Sequence, residues 1–225
     1  PQLFQSYPHF PTILLRKGTT REHNIVMPGR NIIKQFAPDS YYHIYSRGIN
    51  KSPTFVNEKD YEVFLSLFKR YLSNDELKNI SRHSYPNFSD QIELLAFSLM
   101  PNHIHLLIYQ HEERAITEFM RSLLTSYGMY FNRVHKRLGP VFQSNYRASR
   151  ITQDEYLDHI SRYIHLTPSD WANNKFSSIK YYKVDAHADW INPKRIVDLF
   201  PTKDQYLEFD RDSEGYKAML VEIHG

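Results

Sequence analysis

The order of the periodic segments between residues 41 and 166 is the feature that most limits how this chain can fold. Aromatic and β-branched runs predict four strands, at 41–46, 92–99, 103–109 and 141–151. Apolar residues at helical spacing predict three helices, near 58–73, 113–136 and 153–166. The order strand, helix, strand, strand, helix, strand, helix is that of a ferredoxin-like α+β sandwich, which RRM-like modules share. We therefore expect a central antiparallel sheet with helices packed on it.

Length and composition set the domain organisation. The chain has 225 residues and 41% apolar residues, which suits one domain with a real core plus extensions. We expect an N-terminal extension at 1–37, the central domain at 38–168, and a C-terminal extension at 169–225 that packs on the core. The absence of cysteine excludes disulfides, thiolate metal sites and cysteine nucleophiles. No apolar run would span a membrane and no secretion signal is visible, so we expect a cytoplasmic protein without membrane association.

Two histidines lie in the third predicted strand, within the run MPNHIHLLIY at residues 100–109. Because side chains alternate along a strand, His103 and His105 point to one face and Ile104 to the other. Two adjacent imidazoles can share one divalent metal ion, and oxygen ligands with water would complete a site for Mg²⁺ or Mn²⁺. On spacing alone, the alternative is two histidines on a half-exposed strand, because one such triplet is unsurprising among 12 histidines.

Positive charge is concentrated in one part of a chain whose net charge is only +3. Residues 119–153 contain no Asp or Glu, and their basic residues are Arg121, Arg133, Lys136, Arg137, Arg147 and Arg150. A local basic field of this kind indicates that a polyanion meets one face of the protein. A solvated helix end followed by an ordinary loop would give the same pattern.

Several stretches together resemble one protein family. The run MPNHIHLL (100–107) resembles the HUH motif, in which two histidines flank a hydrophobic residue. The run YSRGIN (45–50) resembles the end of the family's first strand, and GPVFQSNYR (139–147) with SRYIHLTP (161–168) resembles its later strand and tyrosine helix. The family is the REP-associated tyrosine transposases, relatives of the single-tyrosine HUH transposases of insertion sequences. The resemblance covers residues 38–168, and its landmarks occur in the family's order.

The resemblance implies an HUH fold and a metal-dependent enzyme that cuts and rejoins single-stranded DNA at REP-type hairpins. His103 and His105 would hold Mg²⁺ or Mn²⁺. Tyr163 would attack phosphorus, leaving a 5′-phosphotyrosyl link and a free 3′-OH, and another 3′-OH could later rejoin the strand without ATP. Judged without the family, Tyr163 is one of 17 tyrosines and would be interpreted as a tyrosine at the edge of the core.

The chain departs from the family at one position. Family members commonly have Asn or Gln, a third metal ligand, one helical turn after the tyrosine, and this chain has Thr167 there. Three interpretations stay open. Thr167 ligates directly or through water, His159 takes part from one turn before Tyr163, or the metal site is impaired. We expect an active enzyme; the alternative is a nucleic-acid-binding protein with an impaired catalytic site.

The expected partner is hairpin DNA with single-stranded flanks. Basic and loop residues in or near the motif stretches are predicted to bind it: Arg47, Gly48, Asn50, Lys51, Arg121, Arg147 and Arg150. Insertion-sequence relatives act as dimers, whereas REP-associated members can be monomers; we expect a monomer, with a homodimer as the alternative. Replication and plasmid-nicking HUH enzymes would use the same chemistry, but the MPNHIH context and the Tyr163-to-Pro168 spacing argue against them. A metal-stabilised structural domain is a further, non-enzymatic alternative.

Overall fold

The computed structural model describes residues 36–73, 85–143, 146–152, 157–168, 174–183 and 188–211. Nearly all of the predicted N-terminal extension, and the predicted beginning of the last helix at residue 153, lie outside these ranges. None of the described helices is long and apolar enough to cross a membrane.

Four antiparallel strands form the central sheet. They are β1 (Ser40–Arg47), β2 (Ile92–Met100), β3 (His103–Gln110) and β4 (Arg147–Ile151). Their order across the sheet is β2-β3-β1-β4, so β1 lies between β3 and β4 and is antiparallel to both. With one helix after β1 and another after β3, this is the ferredoxin-like α+β arrangement, and the predicted fold class is confirmed.

Two helices, α1 (Glu58–Leu72) and α2 (Ala115–Val134), form the larger core with one face of the sheet. The predicted apolar stripe of α2 is buried or partly buried except at Val134, which is 47% exposed at the helix end. Asn57 begins α1 through a reciprocal capping box: its side chain accepts the N–H of Asp60, and the Asp60 carboxylate accepts the N–H of Asn57.

The other face of the sheet is covered by α3 (Leu157–Leu166) and by short helices that follow it. These are α4 (Ile179–Lys183), α5 (Lys194–Val197) and α6 (Lys203–Arg211). Ile160 and Ile164 of α3 are buried with Leu107 of β3 and Tyr206 of α6 in a second core cluster. The residues after α3 therefore pack on the same face as the two histidines.

The segment after α3 also covers the outer edge of β2. The N–H of Leu99 donates to the Phe176 carbonyl (3.0 Å), and the N–H of Ser178 donates to the Phe97 carbonyl (2.9 Å). Pairing of this kind protects an edge strand from unwanted strand addition. Trp190, which is 9% exposed, packs against Phe97 as well. Residues 174–183 and 188–211 therefore pack on the core, whereas the proposed extension as a whole and its boundary at residue 168 stay predictions.

The last strand is shorter than predicted. β4 contains Arg147–Ile151, whereas the sequence pattern placed its start at residue 141. Residues 141–143 pair with the end of β1 and the turn after it: Ile49 N–H donates to the Val141 carbonyl (3.0 Å), and Gln143 N–H donates to the Arg47 carbonyl (2.8 Å). Propensity predicts an extended backbone correctly here, but it carries no information on whether the pairing with β1 is continuous.

A buried carboxylate joins the beginning of α1 to the end of α2. Asp60 has no exposed surface, and it accepts hydrogen bonds from Tyr130 (3.1 Å) and His135 (3.0 Å). The N–H groups of Val56 (2.8 Å) and Asn57 (3.2 Å) donate to it as well. Burial raises the pKa of Asp60, but these hydrogen bonds outweigh burial and hold its pKa below the usual value.

We expect Asp60→Asn to lower the free energy of unfolding at neutral pH by about 2–3 kcal/mol, because an amide cannot accept all of these hydrogen bonds. The folded pKa lies below the unfolded one, so the carboxylate's contribution is complete above the unfolded pKa and is lost as pH falls through the folded pKa. Urea unfolding of wild type and variant at neutral and strongly acidic pH measures this difference. It should shrink in acid, and a difference independent of pH would contradict the assignment. Asp90→Asn, at an exposed carboxylate, is the control.

Candidate active site

The pairing register brings the candidate residues together on the sheet face that α3 covers. Tyr45 of β1 lies directly opposite His105 of β3, and Arg47 lies opposite His103. On its other side, Tyr45 is paired with Arg147 of β4. Directly opposed residues of antiparallel strands share a face, so these five side chains form one group.

His105 is the centre of this group and is only 3% exposed. Its ring centroid lies 5.1 Å from that of His103 and 5.0 Å from that of Tyr45. The half-buried ring of Tyr163, on α3, lies edge-on to His105 with the centroids 5.4 Å apart. The structure thus places the predicted nucleophile beside the predicted histidine pair within one chain.

Sequence reasoning missed a third histidine in this group, His43 of β1. It is 8% exposed, its Nε2 lies 2.9 Å from Nδ1 of His105, and its ring centroid lies 5.8 Å from that of Tyr163. Alternation in β1 places His43 on the same face as Tyr45, so part of the signal was present in the sequence. What the sequence did not contain was the register that sets His43 beside His105.

Asn102, in the turn before β3, was also missed as a site residue. Its Oδ1 lies 2.7 Å from Nδ1 of His103, and its Nδ2 donates to the carbonyl of Lys51 (3.2 Å). The side chain of Asn102 therefore connects the first histidine of the pair to the loop that follows β1.

The histidines are held in the neutral form. Burial lowers the pKa of His43 to about 4, and burial together with the positive charge of Arg47 lowers the pKa of His103 to about 4. Burial, followed by repulsion from His43 and His103, lowers the pKa of His105 well below its ordinary value. Neutral imidazole has the lone pair that a metal ion requires, so His103 and His105 fit a divalent metal ion in protonation state and placement.

The candidates for a third metal ligand are less favourably placed. Across the described ranges, no cluster of three or more His, Asp or Glu side chains is arranged to hold a metal ion. Thr167 Oγ1 donates to the Tyr163 carbonyl one turn earlier in the chain (2.5 Å), and His159 contacts Arg162 (3.3 Å) and the ring of Phe209. Ligation by Thr167 or His159 stays a prediction.

The Tyr163 phenol is protonated at neutral pH. Burial is the main cause that raises its pKa. A phenol is a weak nucleophile until its proton is removed, so any attack by Tyr163 needs a proton acceptor.

The four arginines among the predicted DNA-binding residues fall into two groups. Arg47 and Arg147 lie on the histidine face, and the exposed Arg147 guanidinium lies 5.9 Å from the Tyr45 ring centroid. Arg150 pairs with Tyr42 and so belongs to the opposite face, where α2 carries the exposed Arg121. The structure therefore does not bring Arg121 and Arg150 together with the histidines.

The loop after β1 supplies the other three predicted DNA-binding residues, Gly48, Asn50 and Lys51. A Cβ at Gly48 would lie 2.1 Å from the Ser52 carbonyl oxygen, and the Gly48 N–H donates to the Asn102 carbonyl (2.8 Å). Asn50 and Lys51 have φ of 52° and 61°, in the left-handed region. Close packing thus accounts for the glycine, and DNA contact by these residues stays a prediction.

Comparison with known proteins places the chain in a family. Solved structures that the chain matches include a REP-associated tyrosine transposase bound to a REP hairpin, with 12% identity, coverage of 70% of this chain and 87% of that chain, and a TM-score of 0.48. They also include a presumed transposase from Deinococcus radiodurans R1, with 15% identity, coverage of 57% and 91%, and a TM-score of 0.38. No curated protein matches the chain. The sequence model of the "Transposase IS200 like" family matches residues 37–167, which is more than half of the chain, and the protein therefore belongs to the IS200-like transposase family.

Proposed function

We propose that this protein is a single-tyrosine strand transferase of the REP-associated type, which cuts and rejoins single-stranded DNA at hairpins. Membership of a transposase family supports a DNA-processing role. The observation that carries the proposal is the edge-on contact between Tyr163 and His105, with centroids 5.4 Å apart. This contact supports a reaction in which Tyr163 is the nucleophile beside two neutral imidazoles on one sheet face, with His105 buried and His103 half-buried.

In the proposed first step, the Tyr163 oxygen attacks the phosphorus of a phosphodiester. A bond from phosphorus to the tyrosine oxygen forms, and the bond from phosphorus to the 3′ oxygen breaks. The phenol proton passes to an acceptor, and the leaving 3′ oxygen takes up a proton to give a 3′-OH. One ester replaces another, so attack by a 3′-OH on the phosphotyrosine reverses the step without ATP.

His103 and His105 would hold Mg²⁺ or Mn²⁺, which supplies polarisation of the scissile phosphate and offsets the charge of the transition state. Water and DNA oxygens, with or without Thr167, would complete the ligand set. We expect Arg47 to bind the same phosphate. It lies opposite His103, and its buried Nε has no hydrogen-bond partner within the described part of the chain.

We propose a monomeric enzyme, which the contact between Tyr163 and His105 within one chain supports. Each copy would then contain a complete set of reacting groups. Relatives that place the tyrosine helix against a partner's histidines would instead need a dimer, and homodimerisation stays the alternative.

A second candidate function is a hairpin-binding protein with an impaired catalytic site. The observation in its favour is the hydrogen bond from Thr167 Oγ1 to the Tyr163 carbonyl, which holds the hydroxyl of the residue at the third-ligand position against the backbone of α3. A hydroxyl is also a weaker metal ligand than the amide oxygen that the resemblance implies there.

A covalent-capture experiment separates the two functions. The wild-type chain is incubated with labelled hairpin oligonucleotides and Mn²⁺ or Mg²⁺, with a chelator as control, and the products are separated under denaturing conditions. We expect a metal-dependent protein–DNA adduct, and peptide mass spectrometry should locate the nucleotide on Tyr163. Tight binding to hairpins without an adduct across a broad oligonucleotide panel would support the binding protein and contradict the enzyme.

DNA that reaches Tyr163 must lie on the histidine face, and the two groups of arginines test this. We expect Arg147→Ala to weaken hairpin binding roughly fivefold and to reduce the slope of log K against log salt by about 0.7–0.9. Arg121→Ala removes an equally exposed arginine from the opposite side and should leave both quantities nearly unchanged. A salt titration of hairpin affinity measures them, and equal losses in the two variants would contradict this placement of the DNA.

A further inference from the structure

We infer that His43 and Asn102 are positioning residues that fix both histidines of the pair as Nδ1–H tautomers, so that each presents the lone pair of its Nε2. The inference rests on the proposed function in one respect, namely that His103 and His105 bind a metal ion. A neutral imidazole carries one proton on either ring nitrogen, and only the other nitrogen can be a ligand. The partner of each Nδ1 therefore decides which nitrogen is free.

The tautomer of His103 follows from the orientation of the Asn102 amide. The Lys51 carbonyl oxygen can only accept, so the Asn102 atom facing it at 3.2 Å must be the donor Nδ2. The Oδ1 of Asn102 then faces Nδ1 of His103 at 2.7 Å, and this oxygen can only accept. His103 must therefore carry its proton on Nδ1, which leaves the Nε2 lone pair free.

The contact between His43 and His105 has the geometry of a hydrogen bond in the ring plane. The two rings are within 10° of parallel, and their nearest nitrogens are 2.9 Å apart while the centroids are 5.2 Å apart. The rings thus meet edge to edge, and the N–H of one points along the lone pair of the other. One of the two nitrogens must carry the proton.

Metal ligation by His105 requires that this proton belongs to Nδ1 of His105. If His43 were the donor, Nδ1 of His105 would be the acceptor and Nε2 would carry the proton of the neutral ring. In the assigned arrangement, His43 accepts at Nε2 and leaves Nε2 of His105 free. A ligating histidine ordinarily donates its second N–H to a fixed acceptor, and losing that acceptor typically lowers metal affinity by about 10–100-fold.

His43 has no direct role in the reaction in this assignment. It is buried, and its Nε2 is occupied by His105. It acts through the ring orientation and tautomer of His105, as Asn102 acts through His103. His43 and Asn102 thus leave Nε2 free on both histidines of the pair, although one is an imidazole and the other an amide.

The tautomers are measured in the metal-free protein by long-range ¹H–¹⁵N correlation of ¹⁵N-histidine-labelled chain, with the signals of the pair assigned by single His103→Gln and His105→Gln variants. We expect His103 and His105 to show a protonated Nδ1 and an unprotonated Nε2. A protonated Nε2 on His105 would overturn the inference. This measurement does not depend on catalysis, so it stands apart from the outcome of the covalent-capture experiment.

Calorimetric titration with Mn²⁺ tests whether the acceptor at His43 raises the metal affinity of the site. We expect His43→Phe, which lacks an acceptor, to lower Mn²⁺ affinity at least about tenfold. His43→Gln can place an amide oxygen near the position of Nε2 and should retain affinity within about threefold. His111→Phe, which loses a histidine bound to Glu93 outside the site, controls for a general effect on folding, together with thermal melting of each variant.

The outcomes distinguish this inference from the proposed function. Wild-type affinity for Mn²⁺ in folded His43→Phe overturns the inference even if the wild type cuts DNA. Absence of Mn²⁺ binding by the wild type overturns it too. The expected tautomers and affinities in a protein that forms no DNA adduct support the inference and contradict the strand-transferase proposal.

Discussion

Replacing Tyr163 with phenylalanine is expected to abolish the covalent protein–DNA adduct and to lower strand cleavage by at least about 10³-fold. Phenylalanine has the same ring, which can keep its edge-on packing against His105, but it has no oxygen to attack phosphorus. Hairpin affinity should stay within about twofold, because the substitution removes no charge that meets a phosphate. Adduct yield, cleavage rate and binding are measured on the same oligonucleotide.

Tyr181→Phe is the matched control, because Tyr181 is also partly buried but packs against Trp190 rather than the histidines. This variant should cut DNA at the wild-type rate. An adduct that persists in Tyr163→Phe would identify another nucleophile and contradict the site assignment. Loss of hairpin binding along with cleavage would instead indicate that the tyrosine oxygen serves binding.

The second large effect is expected for Gly48→Ala. The new Cβ would lie 2.1 Å from the Ser52 carbonyl oxygen and 2.9 Å from a methyl carbon of Thr54, so the backbone must move. We expect a loss of about 3 kcal/mol in the free energy of unfolding, as for strong overpacking of a closely packed site. Because Gly48 N–H donates to the Asn102 carbonyl, movement of the backbone at residue 48 should also displace the turn before β3, and with it His103.

Urea unfolding and metal affinity measure the two parts of this effect. Gly128→Ala is the matched control. A Cβ at Gly128, within α2, would meet only a side-chain carbon of Val141 at 3.9 Å, which is ordinary contact. Alanine is the better helix former by about 1 kcal/mol, so this control should be neutral or stabilising. Equal stability of Gly48→Ala and wild type would show that the loop after β1 tolerates the side chain.

The fold class could be predicted from the sequence because it depends on local signals in a fixed order. Side-chain alternation in β3, the apolar stripe of α2 and the capping residue Asn57 all act within a few residues of the chain. Short, uncrossed connections leave few arrangements of helices and antiparallel strands that bury these faces together. The exception was β4, where local propensity could not show that the strand begins at Arg147.

The candidate site was predicted in part. His103, His105 and Tyr163 were chosen from motifs, and the structure places them together, although their roles stay proposals. Arg121 and Arg150 were chosen because they are basic and lie in or near the motif stretches along the chain, but they lie across the sheet from the histidines. Nearness along the chain does not give the face, since consecutive positions in a strand point to opposite sides.

By itself, the sequence determined the order of the core strands and helices, the side-chain alternation along the strands, and the family. It also identified His103 and His105 as a pair on one face of a strand. Only the tertiary structure decided which residues are the partners of those histidines. The register of β1 against β3 sets His43 beside His105, and the turn before β3 sets Asn102 between His103 and Lys51. The physical reason is range: helix and strand periodicity is local, whereas register depends on packing among residues about 60 positions apart, which no local pattern encodes.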